Sequence, residues 1–412
     1  MPQVKYLQCM KCNKTFEATP NSYTCPDCGM VGILDVIYDY SAISQEVNKD
    51  ILQKNKDFSM WRYLPWLPVL PETVPPLRVG WTPVYKADQL AEVLGIKTLY
   101  IKDDGLNPTA SLKDRASAVA VAKALEAGAD TIACSSTGNA ASSLAGNAAS
   151  EGLKTCIFVP ERAPQGKVAQ LLIFGATVVS VQGSYEEAFK LSMEAIERWG
   201  WYNRNAAINP YLVEGKKTVS MELCEQLNWD APDWLVFSVG DGCTIAGAWK
   251  GMVDLYETGF IDHLPKMLGV QAEGCCPITT AFRNNEPVRP AEENTIADSI
   301  AVGVPRNPDK ALRAIRQSSG TMINVSDQEI LDAMKLLGST IGVFGEPAGV
   351  AGLAGLRKAV SEEVITSNEK VAVVVTGNGL KDVQNAIKAT GEPIRIPSDM
   401  NRLVEELSTR GL

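Results

Sequence analysis

Short apolar runs of four or five residues alternate with longer amphipathic or small-residue segments along most of this chain. Apolar runs of this length between helical segments predict parallel strands joined by crossover helices. The predicted strands are 98–101, 131–134, 155–159, 177–181, 235–239, 267–270 and 371–375. The fold class that follows is α/β, and the sequence contains no internal repeat.

The same alternation divides the chain into units. Residues 111–213 contain a complete series of strands and helices, so they are predicted to form a smaller α/β domain, and 81–110 with 214–412 a larger one. Each domain is expected to contain an open sheet. Residues 1–40 form a separate N-terminal module. Residues 41–80 are first polar and then rich in proline and aromatic residues, which indicates an extended arm packed on the body.

Composition and charge exclude several classes of partner. The chain has 412 residues and is 45% hydrophobic, which supports a large core and two or three domains. A formal charge of -9 argues against nucleic acid or an anionic membrane as partner. No apolar run reaches the length of a membrane span, and Met1 is not followed by a basic segment and an apolar stretch. We therefore expect a cytoplasmic protein that does not bind membranes.

Four cysteines in the N-terminal module have the spacing of a metal site. Cys9 and Cys12 form one C-x-x-C pair, and Cys25 and Cys28 form a second pair, separated from the first by twelve residues. Two such pairs supply the four sulfurs of a tetrahedral structural zinc site, which closes the coordination shell and serves folding rather than catalysis. The alternatives are a redox pair or a site that has lost its metal.

A single histidine, His263, limits the chemistry that the chain can perform. It lies between Asp262 and Leu264 in a predicted surface turn. A Ser-His-Asp hydrolase and a metal centre with several histidines are therefore nearly excluded. Any proton transfer must use Lys, Tyr, Asp, Glu, Ser or a cofactor.

Lys113 is the candidate catalytic residue. It lies in Asn-Pro-Thr-Ala-Ser-Leu-Lys-Asp-Arg, residues 107–115, where Asn107-Pro108 ends an extended segment and a helix is predicted to begin at about Ser111. In the first turn of a helix, the unpaired N–H groups and the positive end of the dipole favour a neutral amine. A neutral lysine amine can attack an aldehyde and form a Schiff base. The alternative is an ordinary solvated lysine.

Two turns after predicted strands are candidate anion sites. The first contains Ser135, Ser136, Thr137, Gly138 and Asn139 and opens a small-residue helix, whose N–H groups can bind a carboxylate; an ordinary helix cap is the alternative. The second is the glycine-rich loop with Gly240, Asp241, Gly242, Cys243 and Thr244. Its glycines permit close approach to a phosphate. It lacks the lysine of a Walker loop, so a single phosphate group suits it best, and Asp241 is expected to point away from it.

Together these motifs resemble the threonine synthase family, among the fold-type II enzymes that use pyridoxal 5′-phosphate (PLP). The segment 107–115 resembles the family's Schiff-base motif, and Thr376-Gly-Asn-Gly-Leu-Lys-Asp resembles a second family motif. The resemblance implies two open-sheet α/β domains with PLP between them, a zinc ribbon-like N-terminal module, a small amino-acid substrate and a homodimer.

The resemblance also implies roles for individual residues. Lys113 would form the Schiff base, Asn139 would contact the PLP 3′-oxygen, and the loop 240–244 would bind the phosphate. Thr376 would offer a neutral hydroxyl to the pyridine nitrogen. The turn 135–138 would bind the substrate carboxylate, and a segment beginning Glu346-Pro347 would support the site.

One segment departs from the family pattern. Family members hold the substrate phosphate with an Asn, a Ser and an Arg, where this chain has Ala206, Ala207 and Leu212. Losing these partners costs on the order of 3 kcal/mol of phosphate binding. Lys216 and Lys217 are expected to compensate in part.

Three functions therefore remain open at the level of sequence. They are threonine formation from O-phosphohomoserine, an ammonia-lyase or β-replacement reaction on an unphosphorylated amino acid, and a non-catalytic scaffold. The departures at 206, 207 and 212 favour the second function, whereas the close match of the other motifs to the family and the N-terminal cysteines favour the first. An intact Lys113 argues against the third.

Overall fold

The computed structural model describes residues 3–161, 163, 165–206 and 208–410. Its strands form three sheets, of three, six and four strands. All seven predicted strands are confirmed, each with ends within two residues of the prediction. Among the described residues, no helix is both long enough and apolar enough to cross a bilayer.

The N-terminal module is an antiparallel sheet with the strand order β2-β1-β3. Its strands are β1 (Val4–Cys9), β2 (Thr15–Phe16) and β3 (Leu34–Tyr38). Asp35 in β3 accepts bonds from Lys250, Lys310 and Arg313 of the body, at 3.2, 3.1 and 2.5 Å. Burial alone would raise the pKa of Asp35, but these three cations outweigh burial and hold the pKa well below its usual value. The module is thereby fixed to the body by a buried ion cluster.

The segment 41–80 is not an extended arm, which corrects the prediction. It forms α1 (Tyr40–Glu46), α2 (Lys49–Lys54) and two 3₁₀ turns, Met60–Trp66 and Pro71–Thr73. The polar residues that suggested an irregular chain are helix caps: Asp39 and Asn48 accept from the N–H groups of Ala42 and Ile51. The aromatic residues of the first 3₁₀ turn are buried against the body, as expected.

The six-stranded sheet belongs to the larger unit and has the order β12-β11-β10-β13-β5-β4. Its pairs are parallel except for β4, which runs antiparallel to β5. The strands are β4 (Val84–Lys86), β5 (Thr98–Asp103), β10 (Trp234–Ser238), β11 (Lys266–Ala272), β12 (Thr321–Val325) and β13 (Lys370–Val375). The helices of this unit are α3 (Asp88–Leu94), α8 (Tyr211–Gln226), α9 (Cys243–Glu257), α10 (Pro277–Asn284), α11 (Pro308–Gln317), α12 (Asp327–Ile341), α13 (Pro347–Ser361), α14 (Val383–Thr390) and α15 (Met400–Thr409).

The four-stranded sheet lies inside the predicted smaller domain and is parallel, with the order β8-β7-β6-β9. Its strands are β6 (Thr131–Ser135), β7 (Lys154–Pro160), β8 (Thr177–Val181) and β9 (Tyr202–Asn203). Its helices are α4 (Lys113–Glu126), α5 (Asn139–Ala149), α6 (Gln165–Ile173) and α7 (Tyr185–Trp199). The exact boundaries between the two domains stay a prediction.

Helix α8 packs closely between α4 and α9 because glycines lie at both contacts. A Cβ added to Gly215 would lie 2.1 Å from the carbonyl oxygen of Arg115 in α4. A Cβ added to Gly247 in α9 would lie 2.9 Å from the carbonyl oxygen of Val213 in α8. This close packing brings the start of α4, the middle of α8 and the start of α9 to one region.

Candidate active site

A cavity of about 340 Å³ lies between the two parallel sheets, at the carboxyl ends of their strands. This is where ligands bind in open α/β sheets. Every residue predicted to contact a cofactor or substrate lines this one cavity: Lys113, Ser135, Ser136, Thr137, Gly138, Asn139, Gly240, Asp241, Gly242, Cys243, Thr244 and Thr376.

Lys113 is the first residue of α4, which begins two residues after the predicted start at Ser111, so the lysine lies in the first turn as predicted. Desolvation in the cavity, followed by the nearby charges of Lys216 and Arg204, lowers the pKa of Lys113 to about 8, while Glu346 opposes the shift. Near neutral pH, a useful fraction of the amine is therefore uncharged. This is the protonation state that a nucleophilic or proton-accepting lysine needs.

Glu346 lies at the start of α13 and faces the cavity region from the larger domain. Its Oε1 accepts a 2.6 Å bond from Nδ2 of Asn139, which opens α5 in the smaller domain. Burial raises the pKa of Glu346 to about 7, although Lys113 opposes the shift. The pair connects the two domains beside the lysine and fixes the orientation of the Asn139 amide.

The loop 240–244 connects β10 to α9 and has the geometry of an anion cradle. Gly242 has a φ of +89°, and a Cβ there would lie 2.8 Å from the carbonyl oxygen of Asn307. Only glycine fits this turn, which presents the N–H groups at the start of α9. Asp241 Oδ1 accepts a 3.1 Å bond from the N–H of Arg306. The carboxylate is thus bonded to the neighbouring segment, and its orientation away from a bound phosphate stays a prediction.

The hydroxyl-rich turn 135–138 forms the opposite wall, between β6 and α5. The N–H of Ser135 donates to Asn205 Oδ1 at 2.9 Å, and the N–H of Gly138 donates to Ser136 Oγ at 3.2 Å. These bonds fix the turn at the start of α5, where backbone donors face the cavity.

Thr376 follows β13 and is buried at the cavity wall. Its carbonyl oxygen accepts from the N–H of Leu112 at 2.9 Å, and Gly377 forms a bridge with Ser111. The backbone before Lys113 is therefore bonded to the segment that carries Thr376. This arrangement fixes the distance between the lysine and the threonine hydroxyl.

The segment that departs from the family pattern is divided between cavity and core. Ala206 lines the cavity, Ala207 lies outside the described residues, and Leu212 is buried in the apolar core of the smaller domain. Lys216 lines the cavity, but Lys217 donates to Glu214 and Asp254 at 2.7 and 2.6 Å, away from it. The expectation that Lys217 compensates is therefore wrong, and the expectation for Lys216 stays a prediction.

Arg204 is the cavity residue that sequence reasoning missed. It follows β9, lines the cavity and is only 2% exposed. Its Nε and Nη2 donate to Ser117 Oγ at 3.2 and 3.1 Å. The sequence does carry one signal for it: this arginine lies close to small and apolar residues that are expected to be buried. Burying a guanidinium costs free energy unless it is paired or binds a ligand.

The four cysteines of the N-terminal module come together. The sulfurs of Cys9, Cys12, Cys25 and Cys28 all lie within 4.8 Å of one another. Cys12 and Cys25 are 3.7 Å apart, close to the roughly 3.8 Å edge of a tetrahedron with zinc–sulfur bonds of about 2.3 Å. The donor set and its spacing fit a structural zinc ion.

Comparison with known proteins agrees with this geometry. The family described as pyridoxal-phosphate dependent enzyme matches residues 76–377. The chain is 42% identical over 407 residues to the threonine synthase of Methanocaldococcus jannaschii, covering 97% of this chain and 99% of that one. It is also 42% identical over 405 residues to the threonine synthase of Methanosarcina acetivorans, covering 98% of each.

Solved structures show the same fold at lower identity. The processed form of threonine deaminase isoform 2 from Solanum lycopersicum matches with a TM-score of 0.68 and 22% identity, over 82% of this chain and 95% of that one. Diaminopropionate ammonia lyase from Escherichia coli matches with a TM-score of 0.66 and 21% identity, over 75% and 87%. At these identities the likeness concerns the fold alone.

Proposed function

The chain belongs to the family of pyridoxal-phosphate-dependent enzymes, and from this premise we propose a function for its cavity. It is a threonine synthase-like lyase that breaks a carbon–oxygen bond with PLP as cofactor. We propose O-phosphohomoserine as substrate and L-threonine as product. The observation that carries the proposal is a desolvated helix-start lysine in one cavity with a glycine-rich anion loop and a hydroxyl-rich turn.

We assign the cofactor to residues of both cavity walls. Lys113 would hold its aldehyde carbon, and the loop 240–244 would hold its phosphate at the start of α9. Asn139 and Thr376 would bind the ring, and the turn 135–138 would bind the substrate carboxylate. The fit rests on the narrow glycine cradle at Gly242 and on the donors that the two helix starts direct into the cavity. When bound, PLP draws electrons from the α carbon of the substrate and makes the Cα proton removable.

Lys113 can then act as general base through Nζ. When it is not bonded to PLP, Nζ would be free to accept the Cα proton. A pKa of about 8 suits a group that must accept and return a proton near neutral pH. Glu346 does not transfer this proton; it holds the Asn139 amide in place across the cleft. In the net reaction, O-phosphohomoserine and one water would yield threonine and inorganic phosphate: the γ carbon exchanges phosphate for a proton, and the β carbon exchanges a proton for hydroxyl.

The alternative functions are not favoured, because the relatives that match this chain along nearly their whole length are threonine synthases. A substrate panel tests the proposal. PLP-loaded protein is incubated with O-phosphohomoserine, threonine and serine, and phosphate, threonine and 2-oxo acid are measured. We expect phosphate and threonine from the first compound and no 2-oxo acid from the others. Release of 2-oxo acid from serine or threonine, with no phosphate from O-phosphohomoserine, would contradict it.

We infer that the cysteine cluster of the N-terminal module holds one structural zinc ion. Metal analysis of freshly purified protein should give one zinc per chain, and the ion should be retained in Lys113→Ala. Cys12→Ser should lower the zinc content, whereas Cys276→Ser, which changes a cysteine outside the cluster, should not. Protein purified without any zinc would overturn this inference.

We also propose that the protein acts as a homodimer, as the resemblance to threonine synthases implies. Exposed apolar side chains on α14 and α15, such as Val383, Met400 and Val404, provide surface that such an interface can cover. Sedimentation equilibrium should give twice the chain mass of 44.4 kDa. A single-chain mass at micromolar concentration would contradict the proposal.

A further inference from the structure

We propose that Arg204 binds an acidic group at the far end of the substrate side chain, and so serves in place of the polar residues that the family has at positions 206, 207 and 212. This inference rests on the proposed function, because it assumes that an amino-acid substrate enters the cavity. It goes further by naming the residue that selects a substrate with an anionic side chain.

The buried end of the cavity is cationic. Arg204 and Lys216 are 2% and 4% exposed, and both line the cavity together with Lys113. The Arg204 guanidinium bonds Ser117, which lies one helical turn after Lys113 on α4. Three basic side chains at one end of a cavity favour ligands with more than one negative group.

The two fully buried cations belong to different walls. Lys216 lies on α8 against the start of α9, since a Cβ added to Gly247 would lie 3.0 Å from the Cβ of Lys216. Arg204 belongs to the smaller sheet: its N–H donates to the carbonyl oxygen of Ala133 in β6, at 3.0 Å. The position of Lys216 therefore suits the cofactor phosphate, whereas Arg204 lies on the wall that faces the substrate.

Arg204 is also next to the turn assigned to the substrate carboxylate. Its neighbour Asn205 accepts from the N–H of Ser135, the first residue of that turn. A substrate bound by the turn thus has its side chain within the region that the guanidinium occupies. Ala206 leaves space in the wall beside it, because its side chain is a single methyl group.

The mouth of the cavity carries charges of both signs. Glu293 and Asp298 line it and are exposed, but Arg306 lines it too and Asp298 forms an ion pair with Lys167. The buried guanidinium is therefore the group that would attract an acidic side-chain end inward. Leu212 cannot perform this role, since it is packed in the apolar core.

A pair of unreactive ligands tests the inference. L-2-amino-5-phosphonopentanoic acid is O-phosphohomoserine with the ester oxygen replaced by carbon, and L-norvaline is the same molecule without the phosphonate. Binding of both to PLP-loaded protein is measured by calorimetry. We expect the wild type to prefer the phosphonate, and Arg204→Met to reduce this preference by about 10- to 100-fold while norvaline affinity stays the same. Arg204→Lys should keep part of the preference.

Arg306→Met is the matched control, because Arg306 also lines the cavity but is 22% exposed near its mouth. It should leave the preference unchanged. If Arg204→Met weakens both ligands equally, Arg204 binds the substrate carboxylate and the inference is wrong. If that variant instead weakens PLP binding and keeps the preference, Arg204 serves the cofactor phosphate and the inference is again wrong.

A measurement on the unaltered enzyme does not depend on whether the variants fold. Inorganic phosphate should compete with the phosphonate and should not compete with norvaline. Equal competition against both ligands overturns the assignment of Arg204. Failure of the proposed function is distinguishable, because then O-phosphohomoserine yields no threonine with the wild type, whereas an error about Arg204 alone leaves threonine formation by the wild type intact.

Discussion

Lys113 and Arg115 lie two residues apart at the start of α4, yet their surroundings are opposite. Lys113 lines a cavity in which two other cations, Lys216 and Arg204, act on its charge. Arg115 faces away from the cavity into a cluster of acids. The contrast shows that burial alone does not decide whether a basic side chain serves structure or chemistry; the charges beside it do.

The Arg115 cluster is internally neutral. The guanidinium bonds both oxygens of Asp104, at 2.7 and 2.8 Å, and both oxygens of Glu222, at 2.6 and 2.7 Å. Lys102 adds a 2.9 Å bond to Glu222. Burial alone would raise the pKa of Glu222, but Arg115 and Lys102 outweigh it and lower the pKa to about 2. Two cations and two carboxylates thus pair in this cluster, and the cations hold Glu222 ionised, whereas the cations around Lys113 promote loss of its proton.

The largest effect is expected from Lys113→Ala. Turnover should fall by about 10³-fold or more, because one amine supplies both cofactor attachment and the general base. Borohydride treatment and peptide mapping should label residue 113 in the wild type and no other lysine. The exposed Lys335→Ala is the control and should keep full activity. A label elsewhere in PLP-loaded wild type would place the chemistry at another lysine.

Arg115→Met should instead reduce stability. Removing the guanidinium leaves two buried carboxylates with one cation, which costs about 3–5 kcal/mol of unfolding free energy. Urea denaturation measures this loss, and the exposed Arg357→Met should leave the midpoint unchanged. If Arg115→Met is as stable as the wild type, the contrast between the two sites is wrong.

The same variant should respond differently to acid. The lowered pKa of Glu222, about 2 against 4.5, stabilises the wild type above pH 4.5, and this contribution is lost as the pH falls towards 2. Without Arg115 the shift is smaller, so acid unfolding should begin at a higher pH.

The sequence predicts those elements that are determined by residues close together along the chain. The parallel strands and the helix starts at Lys113, Asn139 and Cys243 follow from apolar runs and turn residues, and the strand ends bring these starts to one edge. By contrast, β12 contains the polar Asn324 and β9 has only two residues, so neither stands out from its neighbours. Polar caps such as Asn48 do not stand out from an irregular polar segment, so the helices that they begin are not predicted.

The charges around Lys113 could not be predicted from neighbouring residues in the sequence. Lys216 and Lys217 are adjacent, and only the packing of α8 decides that one lines the cavity while the other bonds Glu214 and Asp254. Arg204 and Glu346 act on Lys113 from different domains. Their effect depends on distances across the cleft, which no spacing in the sequence reveals.

Lys216→Gln tests whether neighbouring cations set the pKa of Lys113. Without this charge, the pKa should move from about 8 towards the ordinary lysine value of 10.5. The rate of PLP uptake by apoprotein, measured against pH at saturating cofactor, should then rise at a higher pH than in the wild type. A midpoint that does not move would mean that desolvation alone controls the lysine.

Glu346→Gln should have the opposite and smaller effect. As a carboxylate, Glu346 raises the pKa of Lys113 against the larger influences of desolvation and Lys216. The amide keeps an oxygen that can accept from Asn139, so the cleft contact is retained while the charge is removed. The midpoint of PLP uptake should therefore move below about 8.

Because Glu346 has a raised pKa of about 7 and is partly protonated near that pH, the Lys216→Gln and Glu346→Gln variants should differ most clearly above pH 7. If the PLP-uptake midpoints of Lys216→Gln and Glu346→Gln move in the same direction, the substitutions act through packing rather than through charge. The contrast between Lys113 and Arg115 would then depend only on the acidic partners of Arg115.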